Sequence, residues 1–156
     1  MVPTAPVQLA RLLLAAVLGA AVGLEREYHQ KPAGLRTNIL IAFGSALFTV
    51  ISLQLASASG GSTDRVAAQI VTGIGFLGAG AILRSGLSVH GLTTAATIWV
   101  NAAIGMAAGA GLPALAIGST LVTLLVLAAL PPIEAFFERQ ASIRRRKVQQ
   151  EPVEPG

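Results

Sequence analysis

Residues 66–83 read VAAQIVTGIGFLGAGAIL, an unbroken run without a charged side chain, bracketed by Asp64 and Arg65 before it and Arg84 after it. Outward from this run the pattern persists: across the 97 residues from Thr37 to Ile133 those three are the only charged side chains. No water-facing surface of that size goes so uncharged, so lipid is expected to cover most of it. Backbone polar groups in hydrocarbon must be satisfied internally, and the apolar runs are helix-length rather than alternating strands of roughly ten residues. They therefore read as transmembrane helices.

The composition agrees. Of 156 residues, 53% are hydrophobic and 12% charged, against about a quarter charged in soluble domains. The absence of cysteine excludes a disulfide-stapled module and any thiolate metal or redox site, and two histidines alone do not make a zinc centre. The net charge of +4 is largely a tail effect, since four of the eleven cations are Arg144, Arg145, Arg146 and Lys147.

Breaks in the apolar pattern give an all-α membrane protein, a bundle of five transmembrane helices over residues 1–132. The expected spans are 9–24, 38–56, 66–83, 92–111 and 114–130, with Pro131 and Pro132 ending the fifth. Ile133, Phe136, Phe137 and Ile143 recur near helical spacing, which predicts a short amphipathic cytoplasmic helix over 133–148 at the membrane surface, followed by a disordered tail over 149–156. Nine cations (Arg26, Lys31, Arg36, Arg84, Arg139 and the cluster 144–147) fall on one side of this topology, against Arg65 and Arg11 on the other. Cationic loops stay inside, so the N-terminus is expected outside and the C-terminus in the cytoplasm. A cleavable leader is the competing reading of the first span, but that run lacks a basic start and its cations follow it.

Small and polar positions mark where membrane helices touch. Gly19 and Gly23 form such a stripe on the first span, Asn38, Ser45, Thr49 and Ser52 on the second, and Thr94, Thr97, Asn101 and Gly105 on the fourth, with Trp99 and Met106 pointing away. On the third, Gly73 and Gly80 share a face with Gln69 and Arg84, while Gly75 and Gly78 lie nearly opposite. Two glycine faces make the third span the expected packing centre, disrupted by Gly75→Leu or Gly80→Leu. The same glycines spell a dinucleotide fingerprint, but no preceding strand or following acidic residue accompanies them, and close packing is the better reading.

The candidate site is a polar network at the cytoplasmic boundary: Glu25, Arg26, Glu27, Arg36, Asn38, Arg84, Thr93 and Thr94. These residues read either as interfacial anchors and caps or as a network that docks a partner or binds an ion. Intramembrane Gln69, Thr97 and Asn101 read as interhelical hydrogen-bonding groups in preference to a transport path. No catalytic residues, cofactor or confident metal ligands emerge. Hard divalent cations want clustered oxygens, yet between Tyr28 and Ile133 the only carboxylate is Asp64, which serves only as a ring in a homo-oligomer. The basic tail suits anionic lipid better than nucleic acid.

Taken in order, Gly23-Leu24-Glu25-Arg26-Glu27, Ala33-Gly34-Leu35-Arg36-Thr37-Asn38, the run from Arg65 through Gln69 to Gly80, and Gly91-Leu92-Thr93-Thr94-Ala95-Ala96-Thr97-Ile98-Trp99 closely resemble the MgtC/SapB family of bacterial membrane proteins. The resemblance spans about Leu9 to Leu130. It implies a five-helix inner-membrane protein tied to adaptation to low magnesium, acid stress and intracellular survival, contacting other membrane complexes such as the ATP synthase. It does not imply a magnesium pump. Many members continue into a cytoplasmic ACT-like domain, whereas this chain ends soon after its last span, so regulation by that domain is not expected. Where a virulence-associated member has Asn, this chain has Thr93, whose hydroxyl can still cap the fourth helix. The expected function is a non-enzymatic regulatory or interaction protein, with an ion transporter or channel acting as a homo-oligomer as the alternative.

Overall fold

The computed structural model describes residues 4–59, 61, 64–85 and 88–150. Five helices follow in order: α1 (Ala5–Tyr28), α2 (Leu35–Ser59), α3 (Asp64–Gly80), α4 (Leu92–Gly109) and α5 (Pro113–Gln150), with a two-stranded hairpin, β1 (Leu83–Ser85) and β2 (Ser88–His90), between α3 and α4. Ala5–Tyr28, Leu35–Ala58, Leu92–Gly109 and Pro113–Glu134 are long and apolar enough to cross a membrane. At 17 residues, α3 spans about 25 Å, near the short end of what crosses the hydrocarbon. The chain is an all-α membrane protein with one small hairpin added.

The helix ends differ from the expectation where charge was taken as a break. Glu25, Arg26 and Glu27 continue α1 to Tyr28, because Glu and Arg are good helix formers. The chain turns only at Gln30 (φ 52°) and Ala33 (φ 58°), both left-handed. Likewise α3 stops at Gly80, and Leu83 leaves the span to pair with His90, with Arg84 opposite Val89 and Ser85 opposite Ser88. Gly91 closes this hairpin onto α4 with φ +88°, and a Cβ there would collide with the Ala81 carbonyl, so only glycine fits.

The chain divides into two compact units, residues 1–124 and 125–156. In the first, α1, α2 and α4 pack mutually, and α3 rests on α4 with a lesser contact to α2. Ile41, Ile98 and Ala102 form a buried cluster, with Ala33, Ile74 and Ala81 against it. In the second, α5 continues through Pro131 and Pro132 to Gln150. The prolines therefore do not end the fifth helix; their missing N–H groups remove two ladder bonds without halting it. The expected tail begins inside this helix, and residues 151–156 lie outside the described residues. The side chains that would make 133–148 amphipathic are described only to Phe137, and Arg144, Arg145, Arg146 and Lys147 are beyond them.

The packing centre is not α3. A Cβ at Gly73, Gly75 or Gly80 would meet nothing within 4 Å, and Gly78 makes only ordinary contact, 3.7 Å from the Ala95 Cβ. The tight approaches lie elsewhere. At Gly19 a Cβ would stand 2.7 Å from the Asn38 carbonyl oxygen, and at Gly23 2.7 Å from the Leu35 Cα. At Gly105 it would run into the Ala42 carbonyl, and at Gly109 it would come within 2.5 Å of the Ala46 carbonyl oxygen. The backbone of α2 is thus clasped by glycines of α1 on one side and of α4 on the other.

Candidate functional site

The end of α1 and the beginnings of α2 and α4 meet at one end of the first unit, and their polar side chains separate into an inward and an outward set. Arg26 faces inward because the extra turn of α1 carries it against α4; it is 4% exposed, and its Nη2 donates to the Thr94 hydroxyl at 3.0 Å. Asn38, fully buried in the second turn of α2, donates from Nδ2 to the carbonyls of Ala33 and Gly34, tying down the α1–α2 loop. Asn101, also fully buried, donates from α4 to the Asn38 backbone oxygen at 2.7 Å and to its Oδ1 at 3.1 Å. Thr97, between Thr94 and Asn101 on the same face, is buried and donates to the Thr93 carbonyl at 2.7 Å.

Two carboxylates organise the loop. Glu27 Oε2 accepts the Leu35 N–H at 3.0 Å, capping α2 from across the turn; a Cβ at Gly34 would displace this carboxylate from the cap. Glu25 pairs with His29, Oε1 to Nδ1 at 3.0 Å. Three buried polar atoms have no hydrogen-bond partner among the described residues: Glu25 Oε2, Arg26 Nε and Asn101 Oδ1.

The remaining boundary residues lie outside this set of bonds. Arg36 and Thr93 are exposed, and Arg84 lies exposed on β1. Thr93 does not cap α4, because the helix already begins at Leu92 with Gly91 as its N-cap. Gln69 is exposed and borders a groove between α2 and α3. Asp64 begins α3, and its side chain lies outside the described residues. Ser45 and Ser52 are buried on α2 as the stripe suggested, while Trp99 and Met106 line a cavity of about 450 Å³ with apolar walls between α2, α3, α4 and the start of α5.

At the opposite end, Arg11 Nη1 donates to the Gly109 carbonyl at 3.1 Å, and Gln54 Nε2 donates to Gln8 Oε1 at 2.8 Å. In the sequence Arg11 is only a cation near the start of the first span; its partner 98 residues away carries no local signal. The C-terminal turn of α4, rich in unsatisfied carbonyls, is the one physical hint. Among the described residues no three His, Cys, Asp or Glu side chains gather to hold a metal ion. The arrangement as a whole is one of cross-helix bonds: α1 to α4, α4 to α2, and α2 to its own entry loop.

No solved structure matches the chain. Among curated proteins it is 48% identical to the protein MgtC of Brucella abortus over 128 residues, 82% of this chain and 53% of that one. It is 51% identical over 124 residues to a protein of Escherichia coli K12 named "Putative magnesium transporter YhiD", covering 75% and 57%. An uncharacterised Synechocystis protein is 47% identical over 132 residues, 85% of this chain and 56% of its own length. The chain thus spans about half the length of the curated relatives it matches. The profile of the MgtC family aligns with residues 12–136, from within α1 to within α5, and the chain belongs to the MgtC family.

Proposed function

We propose that this chain is a non-enzymatic protein of the bacterial inner membrane, with its N-terminus outside and its C-terminus in the cytoplasm, that acts by contacting other membrane proteins. The observation that supports this reading is how the intramembrane polar groups are used. Asn38, Thr94, Thr97, Asn101 and Arg26 bond to one another and to nearby carbonyls, as interhelical ties do, and two cavities between helices, the one lined by Trp99 and Met106 and the α2–α3 groove, have mainly apolar walls. A cation path would want oxygens lining an open route. By family resemblance, the setting is adaptation to low magnesium, acid stress or growth inside a host, and the ATP synthase is one partner to test. Photo-crosslinking in magnesium-limited cells, followed by mass spectrometry, is expected to return a defined membrane partner; an empty capture would defeat the proposal.

The second reading, a magnesium or other cation transporter, is favoured by the name of the Escherichia coli relative. It requires a homo-oligomer with Asp64 residues around its axis. Magnesium flux into proteoliposomes above background, abolished by Asp64→Asn, would establish it in place of the first.

A further inference from the structure

The contact between α2 and α3 is partial, and beside it runs a groove of about 600 Å³, within the size range of small-molecule sites. One wall carries Arg36, Gly44 and Phe48 of α2, the other Gln69, Gly73 and Leu77 of α3. From Arg36 to Phe48 the helical rise gives about 18 Å, close to the roughly 15 Å depth of one leaflet's hydrocarbon. The groove therefore begins at a cation on the membrane boundary and runs past Gly44 and Gly73 toward Phe48 near the midplane, with Gln69 on its α3 wall.

Two features of this groove go unexplained by the protein alone. Arg36 lies in the first turn of α2, where the helix dipole disfavours a cation, and it has no partner among the described residues. Gly44 and Gly73 sit inside helices, where glycine is disfavoured against alanine, yet a Cβ at either would meet nothing within 4 Å. Among the described residues nothing fills the space next to them.

We propose that the α2–α3 groove binds one anionic phospholipid, its phosphate held by the Arg36 guanidinium and one acyl chain lying along the bare backbone at Gly44 and Gly73. A guanidinium fork matches phosphate oxygens, and the headgroup of a lipid whose chain occupies the groove lies at the depth of Arg36. This site is separate from the buried bonds around Asn38 and Asn101 and holds under either reading of function.

The test uses the full chain reconstituted in vesicles of equal parts phosphatidylglycerol and phosphatidylcholine, extracted in mild detergent, with retained lipid read by native mass spectrometry. Phosphatidylglycerol is expected to remain bound in preference to phosphatidylcholine. Arg36→Gln is expected to lower that preference roughly tenfold, the loss of a charge-assisted hydrogen bond. Gly73→Leu starts from a position where an added Cβ meets nothing within 4 Å; it projects into the groove and is expected to abolish retention of both lipids while thermal unfolding stays unchanged. Gly44→Leu does the same from the other wall, should the first variant fail to accumulate. Arg65→Gln, outside the groove, is expected to leave retention intact. Equal retention of the two lipids, an unchanged preference in Arg36→Gln, or full retention in both leucine variants would each overturn the assignment. So would leucine variants that alter oligomeric mass but not lipid, which would seat a second copy in the groove.

Discussion

Replacing Gly105 with alanine tests the architecture at its tightest point. The added methyl would press on the Ala42 carbonyl, which is backbone of α2 and cannot rotate aside. To restore a normal separation α4 must retreat by roughly 1 Å. One turn earlier on the same face, Asn101 Nδ2 stands 2.7 Å and 3.1 Å from its two acceptors on Asn38, so the same retreat carries both bonds beyond the limit of hydrogen bonding, about 3.5 Å. Overpacking costs about 1–3 kcal/mol, and the two bonds add about 0.6 kcal/mol each. The better helix propensity of alanine returns about 1 kcal/mol. The expected net loss is about 1–3 kcal/mol, read by unfolding in mixed detergent. Gly75→Ala is the matched control: its Cβ meets nothing, and it is expected to be neutral or to stabilise by up to about 1 kcal/mol. Equal stability of Gly105→Ala and the wild type, or equal damage from Gly75→Ala, would refute the assignment of α2 as the clasped helix.

Asn101→Leu removes both donations to Asn38 and leaves that side chain buried with unmet acceptors, an expected cost of about 1–3 kcal/mol in the same unfolding assay. Arg11→Gln takes away the cation that caps the Gly109 carbonyl; faster hydrogen exchange confined to the last turn of α4 is the expected result. Glu27→Ala deprives α2 of the carboxylate on the Leu35 N–H, at about 1 kcal/mol, and cysteine accessibility should rise across residues 30–34. Replacing Arg144, Arg145, Arg146 and Lys147 with Gln is expected to loosen or invert the last span, which C-terminal reporter fusions would detect.

Hydropathy made the number and order of helices legible, because solvation by lipid constrains composition over whole spans. It also made the α2 and α4 stripes legible, since Ser45, Ser52, Thr94, Thr97 and Asn101 are all buried. Gly19, Gly23 and Gly105 were legible as packing positions, but Gly73, Gly75 and Gly80 read the same way and meet nothing within 4 Å. Gly105 and Gly75 sit in equally apolar surroundings, and only the partner helix distinguishes them. The boundary cluster was readable as composition but not as direction: Arg26 and Asn38 turn inward while Arg36 faces out, a difference set by where α1 ends, four residues beyond its last apolar position. Proline misled in α5, where two missing donors were too weak a signal to stop a helix that apolar residues precede.

The bonds made by α1 carry a consequence for biogenesis. Arg11 and Arg26 find their acceptors 98 and 68 residues downstream. At synthesis rates of about 5–20 residues per second, Arg26 waits roughly 3–14 s and Arg11 roughly 5–20 s for α4 to emerge. Until the fourth helix arrives the first carries two cations, one near each end, without their final acceptors, so its packing is expected to be completed only after that helix has been made.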